Sequence, residues 1–232
     1  MKTEESAPRR KHQPTARHCP ERPPAMAPSS PFRLDFDGST VDGSWFTAVT
    51  DFARHTAWLN APAEAWTQYG LGVFAVLMIV GWWQARRADA ATMTAALVAP
   101  VCVLVAFVVA EVVKSGVAEL RPCRSLPNAF IVEACPALDD YAFPSGHSTV
   151  AAATVAALYL VSRRLCAIAA LFALAEGASR VYVGAHYPHD VAGSFVVGLL
   201  VALAASVVLR RVASGYVETL RTGRLRPLLA VS

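Results

Sequence analysis

An all-α fold embedded in a membrane follows from three features of this sequence. Hydrophobic residues make up 55% of it and charged residues only 16%, which sets it apart from an ordinary soluble domain. The apolar residues gather into segments near the length, about 20 residues, that carries a helix across a hydrocarbon core. Arginine pairs stand at alternate segment ends, Arg86-Arg87, Arg163-Arg164 and Arg210-Arg211, as the positive-inside rule places them. The expected architecture is a membrane helix bundle of about five transmembrane helices, with an N-terminal interfacial amphipathic helix.

Residues 1–43 are rich in Pro, Ser, Arg and Asp and lack apolar periodicity. They read as a disordered tail. No signal-peptide apolar core is present, and Met26 is an alternative start. In 44–60, Trp45, Val49, Phe52, Ala53 and Leu59 recur at helical spacing, with Asp51, Arg54 and His55 opposite. This is an amphipathic helix, lying on the membrane or on the protein's own loops. His55 reads as a solvated residue on its polar face. The spans follow at 63–83, 90–113, 148–162 (extending back through His147), 165–183 and 191–209. Trp82 and Trp83 form an interfacial belt. Residues 44–213 make one membrane-embedded domain, and 214–232 a basic cytoplasmic tail.

The arginine pairs mark cytoplasmic ends. The loops at the other ends, which hold the polar clusters, then face outside, as does the N-terminal tail. A re-entrant or sixth segment at 44–60 would instead return that tail to the cytoplasm. A net charge of +4 without a basic stripe among aromatics makes nucleic acid a poor partner. The five cysteines have no metal-ligand spacing, and Cys102 and Cys166 read as inert core residues. Cys123 and Cys135 share the long loop 119–146. They are either free thiols or a disulfide that contributes roughly 3 kcal/mol by loop closure.

Three polar clusters interrupt the apolar pattern: KSGVAELRP at 114–122, PSGH at 144–147, and Ser179-Arg180 followed by His186 and Asp190. Phosphoryl transfer needs positioned positive charge around the equatorial oxygens. Lys114, Arg121 and Arg180 supply it, since three cations beside one loop exceed what interfacial snorkelling explains. Ser145 is placed to N-cap a helix whose first N–H groups bind anions. Taken alone, that tetrapeptide is an ordinary helix start. His186 and Asp190 are four residues apart, which brings imidazole and carboxylate together if the backbone is helical there. Alternatively, Asp190 is a helix cap. Glu111 and Glu176 are spaced to pair with Lys114 and Arg180. Glu133, Asp139 and Asp140 read as solvated loop acids without cation-binding spacing.

The clusters match K-x6-RP, PSGH and SR-x5-H-x3-D in order. In this the chain resembles the type 2 phosphatidic acid phosphatases, lipid phosphatases whose active site is related to that of vanadium haloperoxidases. The resemblance covers roughly 90–212. It implies that Ser145 and Gly146 join Lys114, Arg121 and Arg180 in binding phosphate. It also implies His186 as the nucleophile that forms a phosphohistidine, Asp190 as its orienting carboxylate, and His147 as general acid and then base. His189 lies off the motif and is expected to matter little. No metal and no cofactor is implied.

The expected activity is metal-independent hydrolysis of a lipid phosphate or diphosphate at the outer face of a bacterial-type plasma membrane. The bilayer and its lipid substrate are the implied partners, and nothing points to a protein partner. Gly184, Ala185 and Gly193 are small residues that would admit a lipid chain. Undecaprenyl diphosphate leads the substrates. Phosphatidic acid, phosphatidylglycerol phosphate and polyprenyl-phosphate-sugar phosphates are rivals. A haloperoxidase is disfavoured by the apolar spans. A catalytically silent lipid binder is disfavoured because its two motif histidines would be idle.

Overall fold

The computed structural model describes residues 36–223 and 225–230. The expectations for residues 1–35, including a start at Met26, lie outside the described residues. Helices follow one another as α1 (Ser39–His55), α2 (Ala57–Tyr69), α3 (Leu71–Ala85), α4 (Ala90–Val117), α5 (Pro122–Ser125), α6 (Gly146–Tyr159), α7 (Arg163–Tyr182), α8 (Pro188–Thr222) and α9 (Arg226–Leu229). The amphipathic segment is therefore helical. It begins earlier than expected, at Ser39, and breaks at Thr56, inside the expected 44–60 segment, with Pro62 carried inside α2.

α4, α7 and α8 are each long and apolar enough to cross a membrane. The first expected span is a bent pair, α2 and α3, meeting at 47° across Gly70. It counts as a fourth crossing if the two helices act as one. The third expected span, α6, has 14 residues, about 21 Å at helical rise, short of the hydrocarbon thickness. Its role is internal. Ala151, Ala152, Ala153, Ala156 and Ala157 are all buried against neighbouring helices. Small residues let membrane helices approach closely, because lipid offers apolar side chains no solvent to escape from.

Gly198 of α8 makes the α6–α8 crossing possible. A Cβ there would lie 2.6 Å from the Thr149 carbonyl oxygen and 2.9 Å from the Ala152 Cβ. Gly198→Leu is expected to destabilise the protein by about 1–3 kcal/mol through overpacking, read as a lower unfolding temperature in detergent. An unchanged temperature would mean that the two helices separate at no cost.

One end of the bundle gathers the basic pairs. Arg86 donates to the Pro227 carbonyl and Arg221 to the Ala88 carbonyl, each at 2.7 Å. Ala85, Met93, Val217 and Leu229 pack beneath them. The loops carrying the three polar clusters lie at the other ends of the same helices.

A candidate active site between α4, α6 and α7

The clusters converge because each occupies a helix terminus. Lys114 is in the last turn of α4. Arg121 N-caps the short α5 and is buried. Ser145 N-caps α6, its Oγ accepting from the Ser148 N–H at 3.4 Å. Arg180 closes α7, and its carbonyl accepts from the N–H groups of Ala185 (3.0 Å) and His186 (3.3 Å). The chain therefore folds back on the residue whose side chain enters the site. Gly184 makes that turn with φ +81°, where a Cβ would also strike Ile131 at 2.7 Å, so glycine is required twice over.

Lys114, Arg121, Gly146, His147, Arg180 and His186 line one cavity of about 460 Å³. Leu71, Phe107 and Val150 give it an apolar wall. Ser145 and Asp190 stand behind this lining, both fully buried. Gly184 and Ala185 border the cavity, but Gly193 does not. It packs under the Phe143 ring, which would sit 2.3 Å from an added Cβ.

The cations are already engaged. Asp140 is 2.8 Å from Arg121 Nη2 and 3.5 Å from Lys114 Nζ. Glu133 is 2.9 Å from Arg180 Nη1. Glu111 pairs with Lys114 at 3.1 Å, as its spacing foretold. Glu176 does not pair with Arg180. It is fully buried with both oxygens unpartnered among the described residues, because Arg180 turns to the loop instead. Of the loop acids, Asp139 is exposed as expected, whereas Glu133 and Asp140 pair with the cavity cations. Burial pushes the Asp140 carboxyl up, but the hydrogen bond and charge of Arg121, with Lys114, outweigh that and hold it below the usual carboxylate range. Glu133 is held in place by the loop backbone, where the N–H groups of Val132 and Glu133 both donate to the Val183 carbonyl. Cys123 and Cys135, with Cα atoms 6.0 Å apart, form a disulfide across the same loop.

His186 is almost wholly buried. Its Nε2 lies 2.9 Å from Arg121 Nη1, and its Nδ1 lies 3.4 Å from Asp190 Oδ2. Burial, followed by the charges of Arg121, Arg180 and Lys114, holds this imidazole well below its ordinary pKa. At neutral pH it is uncharged. A guanidinium only donates, so Nε2 carries the lone pair and Nδ1 the proton; Nδ1 makes no hydrogen bond among the described residues, with the Asp190 carboxylate standing 3.4 Å away. Asp190 also accepts the Tyr187 N–H at 2.8 Å in a capping box that starts α8. Helix cap and imidazole partner are thus one carboxylate. His189 stays outside the cavity, bonded to Asp42 and Glu119. Neither acid stood out in the sequence, since Asp42 lies in the expected tail and Glu119 inside the first motif's variable positions.

Cations and histidines thus border one cavity at one end of a membrane helix bundle. The PAP2 superfamily model matches residues 95–213, and the chain belongs to that superfamily. Its long apolar helices make it an integral membrane protein, and the relatives it matches are named as phosphatases. It is 26% identical over 156 residues to undecaprenyl-diphosphatase BcrC of Bacillus subtilis, covering 67% of this chain and 78% of that one. It is 34% identical over 96 residues to undecaprenyl-diphosphatase of Sulfolobus acidocaldarius, covering 41% of this chain and less than half, 46%, of the relative. The crystal structure of a transmembrane PAP2-type phosphatidylglycerolphosphate phosphatase from Bacillus subtilis superposes with a TM-score of 0.52 at 22% identity, over 78% of this chain and 89% of that one. That likeness concerns the fold alone.

Proposed function

We propose that this protein hydrolyses a lipid-borne phosphate or diphosphate through a phosphohistidine on His186, with a polyprenyl diphosphate such as undecaprenyl diphosphate as substrate. One observation carries the reading: three cations and two histidines border a single cavity that also has an apolar wall of Leu71, Phe107 and Val150. The charged part suits the phosphates, and the apolar part suits the first carbons of a chain. The diphosphatase relatives favour the polyprenyl substrate over phosphatidic acid, phosphatidylglycerol phosphate or a polyprenyl-phosphate sugar.

In this mechanism Lys114, Arg121 and Arg180 hold the terminal phosphoryl oxygens, displacing Asp140 and Glu133, while Ser145 and Gly146 bring the start of α6 to them. His186 Nε2 attacks phosphorus, and the bond from phosphorus to the leaving oxygen breaks. His147 protonates that oxygen, releasing the lipid. Asp190 stabilises the charge that develops on His186. Water then attacks the phosphohistidine, giving its proton to His147 as the P–N bond breaks and inorganic phosphate leaves. The protein cations meet the charge requirement, so the reaction proceeds without a metal. The extracytoplasmic face is the reading for the site: the basic pairs gather at the opposite end, and the disulfide beside the cavity fits an oxidising compartment.

The test is phosphate release by detergent-purified protein, with EDTA present, from undecaprenyl diphosphate beside phosphatidic acid and phosphatidylglycerol phosphate. Preferred release from the diphosphate is the expected result. Preference for a glycerolipid would keep the mechanism and replace the substrate. Release abolished by EDTA would overturn the metal-free reaction.

A further inference from the structure

Behind the cavity lies a second cluster of ionisable groups that the reaction above does not use. His189 Nδ1 is 2.8 Å from Asp42 Oδ1, and His189 Nε2 is 2.9 Å from Glu119 Oε1. A carboxylate only accepts hydrogen bonds, so a ring bonded to carboxylates through both nitrogens is an imidazolium. Its faces agree. The Tyr187 ring stacks on it at 5.5 Å and 14°, within reach of a cation–π contact, and the Phe143 ring lies nearly parallel at 6.2 Å and 21°. Asp42 also accepts the His189 backbone N–H at 2.7 Å, so the carboxylate caps the start of α8 from a separate helix.

The third neighbour is Asp190. Its Oδ1 lies 3.5 Å from His189 Nε2 and has no hydrogen-bond partner among the described residues. Glu119 and Asp190 are both fully buried. Two carboxylates in such a place repel each other and need a common cation. His189 is that cation, and Asp42 and Glu119 hold it in position. Gly38 seals the arrangement: a Cβ there would lie 1.8 Å from Glu119 Oε1. Charged or titratable groups face the ring from each element around it: Asp42 from α1, Glu119 from the turn after α4, and Asp190 from α8, with the Tyr187 hydroxyl beside them.

We propose that His189 is a positioning residue, an imidazolium clamped between Asp42 and Glu119 that fixes the Asp190 carboxylate against His186. The inference rests on His186 and Asp190 acting as proposed above. It assigns a catalytic contribution to α1, which lies outside the residues that match the family model. The role is indirect. His189 does not line the cavity, so its loss leaves phosphate binding intact and weakens the step at His186.

The experiment compares wild type, His189→Gln, His189→Arg and Gly38→Ala in lipid phosphate hydrolysis, each checked for monodispersity and unfolding temperature. His189→Gln is expected to lower kcat roughly 10- to 100-fold with KM unchanged, as loss of an outer partner of a reacting group does. His189→Arg, planar, cationic and able to donate to two carboxylates, is expected to recover most of that loss. Gly38→Ala keeps every charge but displaces Glu119, and is expected to lower kcat as well. Wild-type kcat in His189→Gln, or equal losses in the Gln and Arg variants, would overturn the proposal. Wild type provides the control for the reaction itself. If it releases no phosphate, the functional reading fails, and spectra of 15N-histidine-labelled protein at neutral pH still decide the clamp. A ring with both nitrogens protonated, absent from His189→Gln, supports it. A neutral ring, or a stoichiometric metal held by Glu119, His189 and Asp190, overturns it.

Discussion

His186→Ala is expected to abolish turnover, lowering kcat by about 10,000-fold or more, the scale seen when the nucleophile of an orienting dyad is removed. The expectation comes from geometry rather than from the motif alone. Nε2 faces the cavity and the Arg121 guanidinium, and Nδ1 faces Asp190. Among the described residues no other imidazole is placed to substitute: His147 lines the cavity from the start of α6, and His189 is outside it. Lys114, Arg121 and Arg180 remain in the variant, so substrate binding should persist while chemistry stops. Rapid alkaline quenching with radiolabelled substrate provides the direct readout. Wild type should trap label in an acid-labile, alkali-stable linkage, and His186→Ala should trap none. A fully active variant would remove His186 from the mechanism.

Arg121→Ala should be the next most damaging change. The guanidinium donates to the Asp140 carboxylate at 2.8 Å, the Asp140 carbonyl at 3.1 Å and the Ala185 carbonyl at 3.0 Å, and faces His186 Nε2 at 2.9 Å. It thus holds the loop, the turn before the nucleophile and the place of the phosphoryl oxygens. Loss of one such preorganised donor lowers kcat/KM by roughly 100- to 1,000-fold, about 3–4 kcal/mol. Arg121→Lys should recover only a small part, because an ammonium lacks the planar fork that reaches several acceptors at once. A purified, folded Arg121→Ala protein with wild-type kcat/KM would exclude this residue from the phosphate site.

These two residues also mark how much could be read before the fold was known. Both stood in the motifs. Their partners did not. Asp140 and Glu133 lie 19 and 47 positions from the arginines they pair with, and a carboxylate in a polar loop has no local signature of its destination. Glu176 shows the converse. Helical spacing allowed it to pair with Arg180, but Glu133 took that cation. The first span was legible as apolar sequence, and the bend at Gly70 was not, because a lone glycine inside a helix pattern is tolerated as often as it breaks one.

The amino-acid order by itself determined the apolar helices and the residue types of the three clusters. Hydropathy and helical period are properties of neighbouring residues, and a side chain's acid–base character travels with it. Only the tertiary structure decided that α6 is an internal helix, that loop acids pair with Lys114, Arg121 and Arg180, and that Asp42 of α1 meets His189 behind His186. Those contacts join residues up to 147 positions apart, and the path of the chain between them is set by packing of the whole bundle, not by any local pattern.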